Sequence, residues 1–245
     1  MIIDIHSHII PNVDDGSRSL EESLGMLASY ASQGITHLIC TPHNWAIDEL
    51  GIDYVRSRFN LFKRAAQMRH IPVELSLGCE VLVHRRTIDD CIEKLKNGTY
   101  PTLAGSRYVL IEFRKDAIDA SMRLRVMKLV EAGFIPVVAH AERYIHMDLE
   151  TAESLKELGA LLQINLYSIS FNETDEHTSG TAHELIKNKL ADFVGSDAHN
   201  FDHRPPVVEY ALWVLPLEVL TDYATKITRD NPQKIIENLP LAGVQ

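Results

Sequence analysis

Short apolar runs recur along this chain, and each is followed within a few residues by a histidine or a carboxylate. The runs and the groups that follow them are 1–5 with His6 and His8, 35–40 with His43, 72–77 with Glu80, 108–111 with Glu112, 135–139 with His140, and 193–195 with Asp197 and His199. A short apolar run between helix-like stretches is typical of a buried parallel strand. Because the carboxyl ends of parallel strands meet at one edge, we expect these side chains to share one pocket.

Amphipathic stretches between the runs predict helices. They cover 19–33, 53–70, 87–97, 120–132, 149–158, 181–188 and 206–214. The first begins with a capping box, Ser19 to Glu22, and closes at Gly34. A seventh strand, 161–164, ends on Asn165. Seven strands alternating with helices predict one α/β domain over residues 1–245, a (β/α) barrel short of the usual eight units.

Two segments fall outside this alternation. Residues 167–179 are polar, and we expect a mobile loop there. Asn231 and Pro232 begin a last short helix, which we expect to pack on the outside of the barrel.

Composition limits the classes of function. The chain has 245 residues, 45% of them apolar, and a formal charge of −10, which argues against nucleic acid as a partner. Three cysteines without paired spacing favour a reducing compartment. The start lacks the basic segment of a signal peptide, and no apolar stretch approaches the roughly 20 residues of a membrane span. We therefore expect a cytoplasmic protein that does not insert into membranes.

The spacing of the histidines indicates a metal site. His6 and His8 are two residues apart on a strand, so their rings should project from the same face, and Asp197 and His199 repeat this spacing. Asp4 should share the face of His6 one step deeper and orient a ring. Nitrogen and oxygen ligands without thiolate favour Mn²⁺, Zn²⁺ or Fe²⁺. Asp15, in the turn after the first strand, is a further candidate ligand, or else a plain turn or helix-capping acid.

The motifs that carry these residues occur together in an order that is found in a known family. They are DIHSH at 4–8, DDG at 14–16, TPH at 41–43, GCE at 78–80, LIEF at 110–113, AHAERY at 139–144, SDAHN at 196–200 and RPP at 204–206. The chain resembles the PHP-domain phosphatases, and in particular the manganese-dependent tyrosine phosphatases of bacterial capsule and exopolysaccharide operons. The resemblance runs from residue 1 to about residue 238.

The resemblance implies a distorted seven-stranded barrel with three divalent metal ions, manganese in the first place, with iron or zinc as alternatives. By motif matching, one metal is held by His6, His8, Glu80 and Asp197. Glu80 bridges to a second metal held by Glu112 and His140, and the third is held by Asp15, His43 and His199. Four carboxylates against three divalent cations leave a surplus of about two positive charges, which suits a phosphate dianion.

Two arginines are candidates to bind that phosphate. Arg143 follows His140 by three residues, and Arg204 follows His199 closely in a rigid Arg-Pro-Pro segment. A guanidinium fork matches phosphate oxygens bidentately, although a solvated surface arginine is the ordinary alternative. His43 or His199 could donate a proton to the leaving phenolate, but a metal ligand cannot easily perform both tasks.

One literal motif competes with this interpretation. Residues 79–85 fit Cys-x5-Arg, the signature of cysteine-dependent tyrosine phosphatases. That chemistry needs a phosphate-cradling loop, usually rich in glycine, that opens onto a helix N-terminus. The segment between Cys79 and Arg85 has no glycine and reads as a strand, so we predict that Cys79 is a buried residue beside a metal ligand.

The leading hypothesis is a metal-dependent protein-tyrosine phosphatase that acts on the tyrosine-rich tail of a bacterial tyrosine autokinase. The alternatives are a small-molecule phosphatase, of the kind that hydrolyses histidinol phosphate, and a non-catalytic, metal-stabilised regulator. Tyr144 and Trp45 are candidates for the pocket mouth or for ordinary packing, and Trp213 is predicted to lie in the core. The oligomeric state is left open.

Overall fold

Parallel strands alternate with helices along the whole chain. The computed structural model describes residues 2–84, 86–169 and 175–241. The strands of the described residues are β1 Ile2–Ser7, β2 Ile35–Cys40, β3 Glu74–Leu77, β4 Glu80–Leu82, β5 Tyr108–Glu112, β6 Ile135–Val138, β7 Leu161–Asn165 and β8 Phe193–Gly195. The helices are α1 Leu20–Ser32, α2 Asn44–Leu50, α3 Ile52–Met68, α4 Ile88–Lys96, α5 Asp119–Glu131, α6 Leu149–Glu157, α7 Leu166–Ile169, α8 Glu176–Lys187, α9 Glu209–Glu218, α10 Thr221–Thr225 and α11 Asn231–Glu237. A π-helical turn, Lys226–Asp230, joins the last two.

The strands close into a distorted barrel, as predicted. They pair in two runs, β1-β2-β3 and β4-β5-β6-β7-β8. An isolated bridge between Ser7 and Ala198 joins β1 to the segment after β8. A second bridge, between His43 and Glu80, joins the end of β2 to β4. The third predicted strand is therefore two short strands, interrupted at residues 78–79, and this interruption is a main distortion of the barrel.

Alternating side chains of the strands build two buried layers. Ile3, Ile5, Leu110 and Val137 belong to one buried cluster, which fills the inside of the barrel. Neighbouring residues on the same strands, such as Val109, belong to a larger cluster that includes the helices outside. Burial on both faces is the reason that these strands read as continuous apolar runs in the sequence.

The last helix closes the amino-terminal end of the barrel. Ile235 of α11 is fully buried in the same cluster as the inner residues of the strands. The Tyr108 hydroxyl donates to the Leu239 carbonyl at 2.7 Å, and Asn231 Nδ2 donates to the Asp192 carbonyl at 2.8 Å. The prediction that this helix packs on the outside was therefore wrong, because its apolar side covers the open end of the inner core.

Helix starts follow the capping residues. Ser19 accepts a hydrogen bond from the Glu22 amide and confirms the predicted start of α1. Asp175 caps α8 through the Thr178 amide at 2.9 Å, so this helix begins five residues before the predicted start at residue 181. The predicted loop 167–179 is wrong where α7 and the first turn of α8 overlap it, and its residues 170–174 lie outside the described residues.

Two other helices differ from the sequence prediction. The predicted helix 206–214 is displaced toward the C-terminus, as Glu209–Glu218, and α2 was not predicted. In the part of the chain that the structure describes, no helix has the length and apolar character needed to cross a bilayer.

Candidate metal centre

All nine side chains predicted as metal ligands lie together at the carboxyl ends of the strands. Their ligand atoms form three overlapping groups, each within 4.8 Å: His8 with Asp15, His43 and His199; His6 with His8 and Glu80; and His43 with Glu80 and Glu112. His140 and Asp197 join them, since His140 Nε2 lies 2.9 Å from Glu80 Oε1 and Asp197 Oδ1 lies 3.4 Å from His6 Nε2. The geometry fits a metal site, and the number of metals and the individual ligand roles stay predictions.

Glu80 is the centre of the cluster. Its carboxylate, on a residue only 1% exposed, lies 3.4 Å from His6, 3.3 Å from His8 and 3.0 Å from His43, in addition to His140. Burial would raise the pKa of this carboxyl, but the surrounding imidazoles, His6 foremost, bring it well below its usual range. A buried carboxylate surrounded by four imidazoles is suited to bridge cations.

An irregularity in β1 lets both histidines face the interior. The pairing of β1 with β2 shifts register between Asp4 and Ser7. Asp4 Oδ1 accepts the amides of His6 at 3.2 Å and Ser196 at 3.0 Å. The prediction that Asp4 orients a histidine ring was therefore wrong, because its carboxylate holds the backbone of β1 and the segment after β8 at the point where the strand departs from regular alternation.

Asp14 orients His8. Its Oδ2 lies 2.8 Å from His8 Nδ1 and also accepts the His43 amide at 3.1 Å. This contact keeps a proton on Nδ1 and directs Nε2 of His8 into the cluster. The next residue, Asp15, is 57% exposed at its side chain and lies 3.5 Å from His43 Nε2 and 3.6 Å from His199 Nε2.

Gln163 and Asn165, on β7, form hydrogen bonds to three of the predicted ligands. Gln163 Oε1 lies 3.0 Å from both His6 Nδ1 and the His140 amide. Gln163 Nε2 donates to Asn165 Oδ1, and Asn165 Nδ2 donates to Asp197 Oδ2, both at 2.9 Å. Sequence reasoning missed Asp14 and Gln163 as orienting groups. A polar residue inside a buried apolar run, as at Gln163, is the signal that could have identified one of them.

Three residues of the centre adopt the left-handed backbone conformation, which is unfavourable for side chains other than glycine. His140 has φ 36°, Asp197 has φ 52° and Arg204 has φ 52°. Each such residue costs about 1 kcal/mol or more, and this strain is held by the surrounding hydrogen bonds. The Asp197 amide donates to the His6 carbonyl and the His199 amide to the Arg204 carbonyl, both at 2.9 Å.

Both predicted arginines reach the cluster. Arg143 Nη1 lies 3.2 Å and Arg204 Nη1 2.6 Å from the same oxygen, Asp197 Oδ2. Arg204 Nη2 also lies 2.6 Å from His199 Nε2. Their side chains are 28% and 22% exposed, so the guanidinium groups border solvent while their partner is buried. This position allows them to contact both the centre and an incoming anion.

The charges of the cluster are those of a cation site. Burial would lower the pKa of His6 and His43, but Glu80 and Asp197 raise that of His6 to about 9, and Glu112 and Glu80 raise that of His43 to about 11. Burial and the neighbouring His8 lower the pKa of His199, in contrast. The carboxylates of the cluster therefore favour positive charge at a buried position. Protons on the histidines or metal cations can supply that charge.

The hydrogen bonds around His6, His8 and Asp197 leave ligand atoms available for a metal. Nε2 of His6 and Nε2 of His8 lie only 3.2 Å apart, while acceptors engage the Nδ1 atoms of both rings. Two lone pairs then face each other at the buried end of β1, which a shared cation would stabilise. Asp197 Oδ1 is buried without a hydrogen-bond partner among the described residues. The donor set contains nitrogen and oxygen only, in accord with Mn²⁺, Fe²⁺ or Zn²⁺.

Cys79 is not placed for nucleophilic chemistry. It is 1% exposed and lies between β3 and β4, with Sγ 3.6 Å from the Glu80 carbonyl. Burial and the nearby Glu80 hold the pKa of its thiol well above the ordinary range. The other half of the literal motif, Arg85, lies outside the described residues.

Of the three aromatic residues singled out in the sequence, two are exposed and one is buried. Trp45 is 40% exposed and stacks on His43 at 5.9 Å between ring centroids, at the rim of the site. Tyr144 is buried, donates to the Ala139 carbonyl and accepts the Phe113 amide, so it packs in the core. Trp213 was predicted in the core, but it is 65% exposed, because it falls on the solvent side of α9.

A family of known proteins is similar to this chain over almost its whole length. A family profile described as capsular polysaccharide synthesis, CpsB/CapC, matches residues 2–237. Tyrosine-protein phosphatase CpsB of Streptococcus agalactiae is 31% identical over 244 residues, which cover 97% of this chain and 99% of that protein. Tyrosine-protein phosphatase CpsB of Streptococcus pneumoniae is 32% identical over 242 residues, covering 96% and 98%.

A solved structure agrees with these relatives. It comes from work on YwqE from Bacillus subtilis and CpsB from Streptococcus pneumoniae, described as unique metal-dependent tyrosine phosphatases. The similarity has a TM-score of 0.86 at 27% identity and covers 98% of this chain and 96% of that one. The barrel is thus shared over nearly the full length of both chains.

Proposed function

The chain belongs to the CpsB/CapC family of capsular polysaccharide synthesis, and from this premise we propose that it is a metal-dependent protein-tyrosine phosphatase formed by one domain over residues 1–245. The observation that carries this function is the meeting of a buried carboxylate, Glu80, with four histidines beneath two solvent-bordering arginines. Such a site combines cation binding with anion binding in a single pocket.

Three divalent cations are proposed at this centre, with manganese as the leading metal and iron or zinc as alternatives. The first is assigned to His6, His8, Glu80 and Asp197, the second to Glu80, Glu112 and His140, and the third to Asp15, His43 and His199. The ligand groups in the structure overlap these sets without coinciding with them: His8 also lies with Asp15, His43 and His199, and His43 also lies 3.5 Å from Glu112. When bound, the cations would supply a hydroxide at neutral pH and polarise the phosphoryl oxygens.

Arg143 and Arg204 are proposed to bind the phosphoryl group. Both guanidinium groups point at one oxygen of Asp197 from the solvent side, and neither can coordinate a cation, since guanidinium offers no lone pair. In the reaction they would hold two phosphoryl oxygens and stabilise the charge that develops there. Asn165, which donates to the same Asp197 oxygen, keeps the carboxylate in place between them.

His43 and His199 are the candidates for protonating the leaving phenolate. His199 Nε2 lies beside Arg204, and His43 is 15% exposed at its side chain, so both border the place where the phosphate would sit. A phenol has a pKa near 10, so this proton assists the reaction without being indispensable. Their proposed ligand roles limit how far either can act as an acid.

The proposed substrate is phosphotyrosine in the tail of a bacterial tyrosine kinase, and the proposed location is the cytoplasm. The relatives named above are tyrosine-protein phosphatases of a capsule synthesis family, which supports this substrate over histidinol phosphate. A surface pocket of about 430 Å³ opens beside the arginines and leaves room for a peptide substrate on this side of the site.

Turnover on three substrates tests this function. A phosphotyrosine peptide, the matching phosphoserine peptide and histidinol phosphate are compared with manganese-loaded protein at equal concentration. We expect the phosphotyrosine peptide to give the highest kcat/KM. A higher kcat/KM on histidinol phosphate would favour the small-molecule alternative, and the absence of turnover on all three would favour a non-catalytic regulator.

A further inference from the structure

A cavity of about 430 Å³ is lined in part by the two arginines and is larger than a phosphate group needs. Arg143, Arg204 and Asn165 form its side toward the metal cluster. Lys115 and Ile145 belong to its outer lining. If the proposed function holds, a peptide whose phosphotyrosine reaches the cluster would lay neighbouring residues in this cavity.

Lys115 is held at the cavity by its backbone. The Ile145 amide donates to the Lys115 carbonyl at 3.0 Å, which ties the turn after β5 to the segment that carries Arg143. The neighbours of Lys115 on either side, Arg114 and Asp116, pair with each other at 3.1 Å. Among the described residues, no carboxylate pairs with Lys115, which is exposed. No described carboxylate therefore compensates its ammonium.

Among the described residues, the other charged groups of the cavity have partners other than Lys115. Asp175 also belongs to the lining, but its two carboxylate oxygens accept the amide and the hydroxyl of Thr178, both at 2.9 Å. These bonds from neutral donors hold the carboxylate at the cap of α8, where it keeps its negative charge but does not pair with Lys115. Arg143 and Arg204 face the buried Asp197, which proposed metal ions would also engage. The outer part of the cavity thus offers a cation to an incoming anion.

An apolar surface lies next to this cation. Ile145, two residues after Arg143, is 57% exposed and stands beside Lys115 because of the backbone hydrogen bond between them. An exposed apolar side chain between two cationic positions suits a ligand with a charged tip and an apolar stem.

We propose that this cavity binds a second anionic side chain of the peptide substrate, next to the tyrosine whose phosphate is removed, with Lys115 as its counter-ion. This inference rests on the proposed function and concerns how the same site selects among phosphotyrosines. The anion could be the carboxylate of an acidic residue or the phosphate of a second phosphotyrosine. Both present the same chemistry, a negative charge on a side chain of moderate length.

Steady-state kinetics on three peptides tests the proposal. They share one central phosphotyrosine and differ at the flanking position, which carries glutamine, glutamate or phosphotyrosine. An exposed, charge-assisted pair is worth up to about 1 kcal/mol, so we expect wild-type KM to be about two- to fivefold lower for an anionic flank than for glutamine. The KM ratio should approach one in Lys115→Ala and should shrink at high salt.

Lys96→Ala is the matched control. Lys96 is exposed near the end of α4 and lines no part of this cavity, so its removal should leave the wild-type KM ratio. If glutamate at the flanking position lowers KM as much as phosphotyrosine does, a carboxylate is sufficient as the bound anion. If only phosphotyrosine lowers KM, the cavity requires a phosphate dianion. Either result supports the proposal.

Two results would overturn it: equal KM for all three peptides with the wild-type protein, or an unchanged preference in Lys115→Ala. Failure of the proposed function looks different, because wild-type protein loaded with metal would then hydrolyse none of the three peptides.

Discussion

Gln163 Oε1 lies 3.0 Å from His6 Nδ1, in a pair of residues that are both fully buried. Since an amide oxygen only accepts, this contact places the ring proton of neutral His6 on Nδ1 and leaves Nε2 for a cation. The same oxygen accepts the amide of His140, whose backbone is left-handed. One side chain thus fixes the tautomer of one predicted ligand and the backbone of another.

We predict that Gln163→Leu weakens metal binding. The substitution keeps roughly the side-chain volume but removes the acceptor for His6 and His140, and such orienting partners usually contribute about 10- to 100-fold to metal affinity. Titration of metal-free protein with Mn²⁺ measures the change. Gln67→Leu, on the exposed face of α3, is the control and should bind as wild type. Equal affinity for Gln163→Leu would show that the amide does not orient the site.

Gly16 is predicted to tolerate no side chain. A Cβ at this position would lie 1.8 Å from the His8 carbonyl oxygen and 2.6 Å from His8 Cβ, so the turn that carries Asp14 and Asp15 would have to move. We expect Gly16→Ala to lower stability by about 1–3 kcal/mol and to reduce metal content. Thermal unfolding and metal analysis of the purified variant check both.

Gly180 provides the contrasting substitution. It lies inside α8, and its added Cβ would meet nothing within 4 Å. Gly180→Ala should raise stability by about 0.5–1 kcal/mol, since alanine favours the helix. Equal melting temperatures for the two variants would contradict the close approach at Gly16.

The metal-free protein should lose stability as the pH rises from about 7 to 10. The folded state raises the pKa of His6 to about 9 and that of His43 to about 11, above the ordinary value near 6.5. Stability from these protonated rings is fully present below the ordinary value and is lost as the pH rises through the raised ones. We expect the melting temperature of chelated protein to fall by at least roughly 5 °C between pH 7 and 9.5.

Metal-loaded protein should not show this loss, because its ligand histidines are already neutral. The difference in melting temperature between loaded and chelated samples should therefore widen with pH. A constant difference across this range would mean that cations do not replace protons on these rings.

Arg143→Ala and Arg204→Ala should each reduce kcat/KM on a phosphotyrosine peptide by about 10- to 1000-fold while metal content stays unchanged. The reason is the loss of one charge-assisted contact to the phosphoryl group. Lysine at either position should rescue only partly, because it supplies charge without the fork. Arg64→Ala, exposed on α3, is the control. Wild-type kcat/KM in both arginine variants would show that the arginines do not bind the phosphoryl group and that the metals alone do.

Much of the fold follows from the sequence because parallel strands buried on both faces leave a strong apolar signal. The same strand pattern predicts that His6, Glu80 and His140 meet at one edge, and they do. The structure differs from the sequence prediction where contacts between residues far apart in the chain determine the local geometry. The irregularity of β1 depends on Asp4 meeting Ser196 from the other end of the chain, and spacing along one strand cannot show such a contact.

The remaining errors have the same origin. An apolar side of α11 would be expected whether the helix packed on the outside of the barrel or across its end. The open end of the inner core, which the sequence does not reveal, determines that it packs there. Trp213 has a hydrophobic side chain in an apolar helix, so composition alone favoured burial. A single polar residue in a buried run, such as Gln163, indicates that a hydrogen-bond partner exists but not which residue it is.

Metal content and phosphopeptide turnover, measured on the same sample, show whether hydrolysis depends on metal at this centre. Wild-type protein and Glu80→Ala are assayed as purified, after chelation and after addition of Mn²⁺. We predict about three metal ions per wild-type chain, loss of turnover with chelation, recovery with Mn²⁺, and at least about a hundredfold lower turnover in Glu80→Ala. Hydrolysis of phosphotyrosine by metal-free protein at the wild-type rate would contradict it.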